Sequence, residues 1–243
     1  MSEQLDKAKS ALANQNCAAI LASPITATSL NSVFKQAIAK GVPAIVLNDA
    51  KGTLEGSVYV GPDSETTGQL AADYVAKKLP DGGDVALIEG DPGSSNALAR
   101  GKGFKEGIAK HDGIKIVATQ AAAGWDATKA QEIATTMLTA HPDIKAFYSE
   151  NDGMAIGIAA AIKQAGLTGK VMLIGTDGIP QAKKYIASGK MTATVSQRPQ
   201  VEGAAGVDAA LWLLAGKKVP AWIEVPAFVV DADNVAQYAT GMP

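Results

Sequence analysis

The sequence contains few of the residues from which metal sites and many catalytic sites are built. Its 243 residues include one cysteine, Cys17, and two histidines, His111 and His141. A single cysteine excludes an internal disulfide, and the two histidines lie in separate polar turns without the spacing of metal ligands. We therefore expect no metal site and no cofactor.

Arginine is also scarce, since Arg100 and Arg198 are the only two. The 22 basic residues nearly balance 24 acidic residues, which gives a formal net charge of -2. Nucleic-acid-binding surfaces gather Lys and Arg on one face. No stretch stays apolar for the roughly 18 residues of a membrane span, and the amino end, MSEQLDK, is not a signal peptide. The sequence therefore predicts neither a nucleic-acid partner nor a membrane-inserted segment.

Short apolar runs alternate with segments of helical periodicity along the whole chain. Hydrophobic residues make up 47% of the sequence, enough core for one large domain or two modest ones. Repeated strand-helix-strand alternation predicts an α/β fold with parallel sheets, preceded by an amphipathic helix over residues 2–14. The predicted strands are residues 18–22, 44–47, 58–60, 85–88, 115–118, 146–148, 171–174 and 193–196.

Four residues that suit a binding site follow predicted strands: Trp125, Asn151, Asp177 and Gln197. In open parallel α/β sheets, ligands bind beyond the carboxyl ends of the strands. Carboxylate and carboxamide groups can each engage adjacent hydroxyls, and an indole can cover the apolar face of a ring. The set therefore suits a polyhydroxylated neutral ligand.

Most of these residues also have a purely structural interpretation. Asn151 or Asp152 fits the N-cap of the following helix, and Asp177 fits the same role in its own helix. Trp125 either stacks on a ligand or covers the floor of the crevice. A glutamine before Arg-Pro serves no obvious cap or turn, so Gln197 has the strongest claim to a ligand.

The loop from Gly90 to Asn96 has two interpretations. Its backbone N–H groups and the hydroxyls of Ser94 and Ser95 can hold an anion at a helix N-terminus, or they form an ordinary capped turn. Residues 101–107, GKGFKEG, have the wrong spacing for a dinucleotide fingerprint and fall inside a helix. With no phosphate-binding loop and no nucleophile elbow, we expect no enzymatic activity.

Several different short motifs follow one another in a specific order from one end of the chain to the other. They are Gly61-Pro62-Asp63 with Gly68-Gln69-Leu70-Ala71, Glu89-Gly90 with Pro92-Gly93-Ser94-Ser95, Arg100-Gly101-Lys102-Gly103-Phe104, Trp125-Asp126, His141-Pro142-Asp143-Ile144, Asn151-Asp152 with Met154-Ala155, Gly175-Thr176-Asp177-Gly178, and Gln197 with Pro199. Together they resemble the ribose-type periplasmic sugar-binding proteins of ABC transporters, which are type I periplasmic binding proteins. Each motif is weak alone, but the ordered set is specific.

The resemblance implies an α/β protein of two doubly wound parallel-sheet lobes, joined by three crossovers, that hold a sugar by hinge closure. It assigns residues 1–62 and 198–225 to an N-terminal-type lobe, and residues 63–197 and 226–243 to a C-terminal-type lobe. The family's first strand-helix-strand unit has no counterpart here, so we expect the first lobe to be incomplete and the binding of free sugars to be weak or absent.

The resemblance also implies roles for individual residues. Trp125 becomes the stacking aromatic, and the hydroxyl ligands are Asn151, Asp177 and Gln197. The remaining candidate ligand-binding residues are Asn48, Asp49, Ser94 and Ser95. Leu98 stands where the family has a sugar-binding arginine, and Asn48-Asp49 stands where it has Asp-Arg, so we expect a small sugar or sugar alcohol other than ribose.

The expected function is that of a non-enzymatic solute-binding receptor, present in a truncated form, which feeds an ABC transporter. By resemblance its place is the periplasm and its partners are the membrane subunits of that transporter. The strand over residues 18–22 is expected to form an apolar sheet edge that invites dimerisation or swapping. The alternative is the effector-sensing domain of a lac-repressor-like regulator without its DNA-binding headpiece.

Overall fold

Helices and strands alternate along the chain, as the periodicity predicts. The computed structural model describes residues 2–14, 16–49, 51 and 54–238. Within that part of the chain, no helix is long and apolar enough to cross a membrane. In chain order the elements are α1 (Ser2–Ala13), β1 (Ile20–Ala22), α2 (Asn31–Ala39), β2 (Ala44–Leu47), β3 (Val58–Gly61), α3 (Ser64–Lys78), β4 (Gly83–Glu89), α4 (Ser95–Ile108), β5 (Ile114–Ala121), α5 (Ala127–Ala140), β6 (Ile144–Ser149), α6 (Asp152–Gln164), β7 (Met172–Asp177), α7 (Pro180–Ala187), β8 (Ala193–Ser196), α8 (Pro199–Leu214), β9 (Trp222–Glu224), β10 (Phe228–Asp231) and α9 (Val235–Tyr238).

The chain divides into two compact units. Unit 1 comprises residues 1–62, 93–96 and 199–226, and unit 2 comprises residues 63–92, 97–198 and 227–243. The expected lobes placed the segment 93–96 with residues 63–197, whereas its contacts place it in unit 1. The reason is local, because the side chains of this segment hydrogen-bond to Asn48 and Asp49.

Unit 1 is built on a four-stranded parallel sheet in the order β1-β2-β3-β9. Successive residues of a strand point to opposite faces. Val46 therefore packs into one core with Phe34 of α2, while its neighbour Ile45 packs into a second core with Ala209 of α8. Helices thus cover both faces of the sheet, as expected for a doubly wound unit.

Unit 2 contains a six-stranded sheet in the order β10-β8-β7-β6-β4-β5. Phe147 and Tyr148 lie on opposite faces of β6, and each belongs to its own buried core. All pairs are parallel except β10 with β8, an edge strand with a single neighbour. The strand order reverses between β4 and β6, and such a switch point is where open α/β sheets bind ligands.

One expectation about a strand end is wrong. β7 continues pairing with β8 as far as Asp177, so Asp177 ends the strand and does not follow a strand that stops at residue 174. Arg198 has a φ of 57°, although the proline after it favours extended geometry. Only Gln197 and Arg198 connect β8 to α8, and the constraint of this short link outweighs the preference before proline.

Gly103 of α4 and Gly68 of α3 let these two helices pack closely against each other. A Cβ atom at Gly103 would overlap the backbone oxygen of Glu65, and one at Gly68 would overlap the backbone oxygen of Arg100. The two helix backbones therefore meet without intervening side chains. Gly103 therefore has a packing role, in a segment whose glycine spacing is wrong for a dinucleotide fingerprint.

Replacing Gly103 by alanine should destabilise unit 2 by about 3 kcal/mol, because the new methyl group must push the α3 backbone away. Gly153 in α6 provides a matched control, since a Cβ atom there meets only ordinary contacts of 3.6 Å or more. Gly153→Ala should leave the free energy of unfolding unchanged or raise it by up to about 1 kcal/mol. Urea unfolding of both variants tests this, and equal effects would contradict it.

Candidate functional site

The candidate site of unit 2 begins at the switch point, where β6 ends at Ser149. Asn151 is the N-cap of α6, and its Oδ1 accepts a hydrogen bond from the backbone N–H of Met154 at 2.8 Å. Of the two alternatives for the cap, Asn151 is therefore the correct one. Asp152, the next residue, has a different task.

Asp152 organises the turn that follows β7. Its Oδ2 accepts hydrogen bonds from the backbone N–H groups of Gly178 and Ile179, at 2.8 and 2.9 Å, and its Oδ1 accepts one from the hydroxyl of Thr194 at 2.7 Å. Burial raises the pKa of Asp152, and these three hydrogen bonds oppose that increase. The carboxyl group thereby fixes the backbone next to Asp177.

Asp177 and Gln197 lie at the ends of the adjacent strands β7 and β8. Gln197 donates from Nε2 to Oδ1 of Asp177 at 2.6 Å, and its backbone N–H donates to the carbonyl of Asp177 at 3.1 Å. Asp177 does not cap α7, whose N-cap position is Ile179 without a side-chain hydrogen bond. The Asp177 side chain remains 28% exposed, which leaves it accessible to a ligand.

Arg100 connects the candidate residues, and the sequence did not single it out as part of a site. It is 3% exposed and donates from Nη1 to the carbonyl of Glu150 at 2.7 Å and from Nη2 to Oε1 of Gln197 at 2.9 Å. Its Nη1 lies 3.9 Å from Oδ1 of Asp177, and its guanidinium carbon lies 5.8 Å from the ring centroid of Trp125. The buried guanidinium of Arg100 is thus surrounded by Trp125, Asp177, Gln197 and Glu150, the residue before Asn151. The signals available in the sequence were the rarity of arginine and the place of Arg100 in the motif Arg100-Gly101-Lys102-Gly103-Phe104.

Trp125 rests against the backbone at the end of β4. A Cβ atom at Gly90 would overlap the indole ring, so the absence of a side chain there lets the ring lie directly on the chain. The tryptophan remains partly exposed. Covering the floor of the crevice and stacking on a ligand are therefore compatible roles.

Backbone strain concentrates at the candidate residues. In the described part of the chain, the non-glycine residues with positive φ are Asn48, Trp125, Asp177 and Arg198. Such conformations cost of the order of 1–3 kcal/mol each and persist where the surroundings impose them, often at functional sites. Three of the four are residues that the sequence assigned to ligand binding.

Glu150 is a fully buried carboxyl group beside the site. Its Oε2 accepts the backbone N–H of Gly90 at 2.7 Å, while its Oε1 has no hydrogen-bond partner. Burial raises the pKa of Glu150 to about 8, although the Gly90 N–H and the charge of Arg100 both act to lower it. The carboxyl group is therefore mainly protonated at neutral pH.

The other four candidates form a hydrogen-bonded network within unit 1. Ser94 donates to Oδ2 of Asp49 at 2.7 Å, and Ser95 donates to the other carboxylate oxygen. Asn48 accepts from Asn96 at 2.7 Å and donates to Glu202. The hydroxyls of Ser94 and Ser95 thus bind the carboxylate of Asp49. In the anion-site interpretation, these hydroxyls would have bound an external anion.

Leu98 is 66% exposed on α4. It lines a cavity of about 410 Å³ in unit 2, together with Gly90 and Ala97. None of the four candidate ligands of unit 2 lines that cavity. Leu98 therefore adds apolar surface to this cavity.

The model of the periplasmic binding protein domain matches residues 1–218. The chain belongs to the periplasmic binding protein family. The D-allose-binding periplasmic protein of Escherichia coli (strain K12) is 38% identical over 237 residues, which cover 93% of this chain and 75% of that protein. The ribose import binding protein RbsB of Salmonella typhimurium is 37% identical over 204 residues, or 83% of this chain and 67% of that protein.

A solved structure also resembles this periplasmic binding protein. The ABC transporter periplasmic solute binding protein from Actinobacillus succinogenes, with bound D-allose, has a TM-score of 0.91 and 32% identity, and the match covers 98% of this chain and 86% of that one. These findings confirm the resemblance and the α/β fold class expected from the motifs. Because these relatives are binding proteins, neither an enzyme nor the alternative of a lac-repressor-like sensor is favoured.

The raised pKa of Glu150 predicts a pH-dependent stability. The folded state binds a proton more tightly than the unfolded state, whose carboxyl group titrates near 4.5, so the free energy of unfolding should fall as pH rises from about 5 to 8. One such group contributes a slope of at most about 1.4 kcal/mol per pH unit. Glu150→Gln, which mimics the protonated acid, should flatten this slope and be more stable than wild type above pH 8.

Denaturant unfolding at several pH values between 5 and 8.5 measures this slope. Glu106→Gln is a matched control on α4, because its carboxylate is half exposed. The control should keep the wild-type slope. Parallel curves for wild type and Glu150→Gln would show that Glu150 does not titrate in this range.

Proposed function

We propose that this chain is a non-enzymatic receptor for a small sugar or sugar alcohol that feeds an ABC transporter. The observation that carries the proposal is the convergence around Arg100 of the Trp125 indole with the Asp177 carboxylate and the Gln197 carboxamide, which lie at the ends of the adjacent strands β7 and β8. These groups match the apolar face and the hydroxyls of a small carbohydrate. The relatives that are named for D-allose and ribose support the same class of ligand.

Within unit 2 we assign Trp125 to stacking on the sugar ring, and Asn151, Asp177 and Gln197 to its hydroxyls. The polar side chains of unit 1 are also proposed ligand residues: Asn48, Asp49, Ser94 and Ser95. Ser94 and Ser95 hydrogen-bond to Asp49, and Asn48 hydrogen-bonds to Asn96 and Glu202. A ligand hydroxyl can replace such a partner at small cost. With Leu98 in place of a cation, a ligand other than ribose fits the site better.

The proposed place of action is the periplasm, and the proposed partners are the membrane subunits of an ABC transporter. The name of the D-allose-binding relative as a periplasmic protein supports the first point. The name of RbsB as an import binding protein supports the second.

Trp125→Ala should weaken sugar binding at least tenfold, because the ring face of the ligand loses its apolar cover. A thermal-shift panel of pentoses, hexoses and sugar alcohols, taken to tens of millimolar, first identifies a ligand, and calorimetry then compares the variants. Trp212→Ala is a matched control, since Trp212 is an exposed tryptophan of α8. Unchanged affinity in Trp125→Ala would exclude the stacking role, and a panel without any binder would count against the function.

We further propose that the β1 edge of unit 1 pairs with a second copy of the chain. β1 ends the sheet order, and α8 passes over it, because a Cβ atom at Gly206 would lie 3.4 Å from Cδ2 of Leu21. The adjacent outer residues Val207 and Leu211 are apolar and more than half exposed. Since a strand edge is self-complementary about a two-fold axis, the apolar surface that continues onto α8 favours a second copy as its occupant.

Light scattering at micromolar concentration should therefore detect a dimer. Leu211→Glu should shift it toward monomer, because a charge enters the proposed apolar contact. Leu98→Glu, which charges an equally exposed leucine in unit 2, should leave the dimer intact. A monomeric wild type, or the same loss in both variants, would contradict the proposal.

A further inference from the structure

The two oxygens of the Glu150 carboxyl group have different surroundings. Glu150 is fully buried, and its Oε2 accepts a hydrogen bond from the backbone N–H of Gly90 at 2.7 Å. Its Oε1 has no hydrogen-bond partner in the described part of the chain. A buried carboxylate oxygen without a donor is costly, whereas a protonated oxygen in the same place is itself a donor. The proton of the neutral acid therefore belongs on Oε1.

Oε1 of Glu150 lies beside a second carboxyl group. A Cβ atom at Gly101 of α4 would lie 2.8 Å from Oε1 of Glu150 and 3.0 Å from Oε1 of Glu89, so the two oxygens flank the same point on the helix. Lys105 donates to that oxygen of Glu89 at 2.7 Å. Glu89 thus presents a compensated carboxylate toward Glu150, and negative charges on both groups would repel each other.

The other oxygen of Glu150 is connected to the indole of the sugar site through one backbone unit. The N–H of Gly90 donates to Glu150, and a Cβ atom at Gly90 would overlap three carbons of the Trp125 ring. The ring therefore rests on the same peptide that the carboxyl group holds. A movement of this carboxyl group is transmitted to the surface on which the indole lies.

We propose that Glu150 couples a proton to sugar binding: the neutral acid holds Gly90 where it supports the Trp125 ring, and loss of the proton weakens the site. The inference rests on the proposed function, since it assigns a regulator to that same site. Glu150 acts through Gly90 and is not itself assigned to the ligand.

The sign of the coupling follows from the two carboxyl groups. An ionised Glu150 would face the Glu89 carboxylate in a buried place, and it can relieve the repulsion only by moving, which displaces the Gly90 N–H. The free protein can accommodate this movement, whereas a sugar held against the Trp125 ring opposes it. Binding should therefore raise the pKa of Glu150 further above its value of about 8, so affinity should fall as pH rises past that value.

The other ionisable groups that face Glu150 come from three elements. Arg100 and Lys105 of α4 favour its charged form, and Glu89 of β4 favours its neutral form. Tyr148 of β6 is fully buried, and burial raises its pKa, as does the charge of Glu150. The tyrosine therefore stays neutral while Glu150 titrates, and it does not obscure the titration.

Glu150→Gln tests the coupling, because the glutamine can accept from Gly90 and donate toward Glu89 at every pH. Calorimetry uses the pentose, hexose or sugar alcohol with the largest shift in the panel. Between pH 7 and 9.5, the affinity of wild type should fall at least threefold more than that of the variant. Burial also raises the pKa of Asp152, but Asp152 titrates in both proteins and cancels in the comparison. Equal losses of affinity would overturn the proposal.

A second measurement needs no sugar and so separates this inference from the proposed function. Infrared spectra at pH 7 should contain a carbonyl band of a protonated carboxylic acid that is missing in Glu150→Gln. The pH midpoint of this band should fall in Glu89→Gln, because the like charge is lost and Lys105 is released from its partner. Glu106→Gln is a control on α4, since its carboxylate is half exposed, and it should leave the midpoint unchanged.

A wild type without this band, or an unmoved midpoint in Glu89→Gln, would overturn the inference whether or not a sugar binds. A panel without a binder would instead remove the proposed function, and the coupling with it, even where the infrared results are as expected.

Discussion

A buried cation without sufficient partners is among the costliest features a protein can contain, and the polar part of unit 2 is arranged around one. Arg100 is compensated by the carbonyl of Glu150, the amide of Gln197 and the nearby carboxylate of Asp177. Each of these groups occupies its position partly because the guanidinium requires it. Two of the candidate ligand residues, Asp177 and Gln197, therefore lie together because both compensate the buried charge of Arg100.

The sheet makes that arrangement possible because it brings strand ends together. β6, β7 and β8 are parallel neighbours, so the residues at their carboxyl ends lie along one edge of the sheet. Positive φ at Trp125 and Asp177 then aims these side chains, and the glycine at position 90 leaves room for the indole. Rigid strands combined with locally strained ends suit a receptor, whose ligand groups must be in place before the ligand arrives.

The two units use similar residue types with different outcomes. In unit 1, Asp49 is bound by the hydroxyls of Ser94 and Ser95, so a loop that looked suited to an external anion is bonded to an internal one. In unit 2, Asp177 keeps an exposed portion while it accepts from Gln197. The two networks therefore differ in the hydrogen bonds that the chain itself already makes to each carboxylate.

The alternation of apolar runs and helical periods was enough to predict the parallel α/β fold and most strands, because burial on both faces of a sheet leaves a continuous apolar run. Local chemistry predicted an N-cap of α6 at Asn151 or Asp152, and the structure decided for Asn151. The role of Arg100 and the task of Asp152 depended on partners that lie far away along the chain. Local patterns encode which face of an element is buried, whereas the partner of a buried charge is decided only when distant segments are packed together.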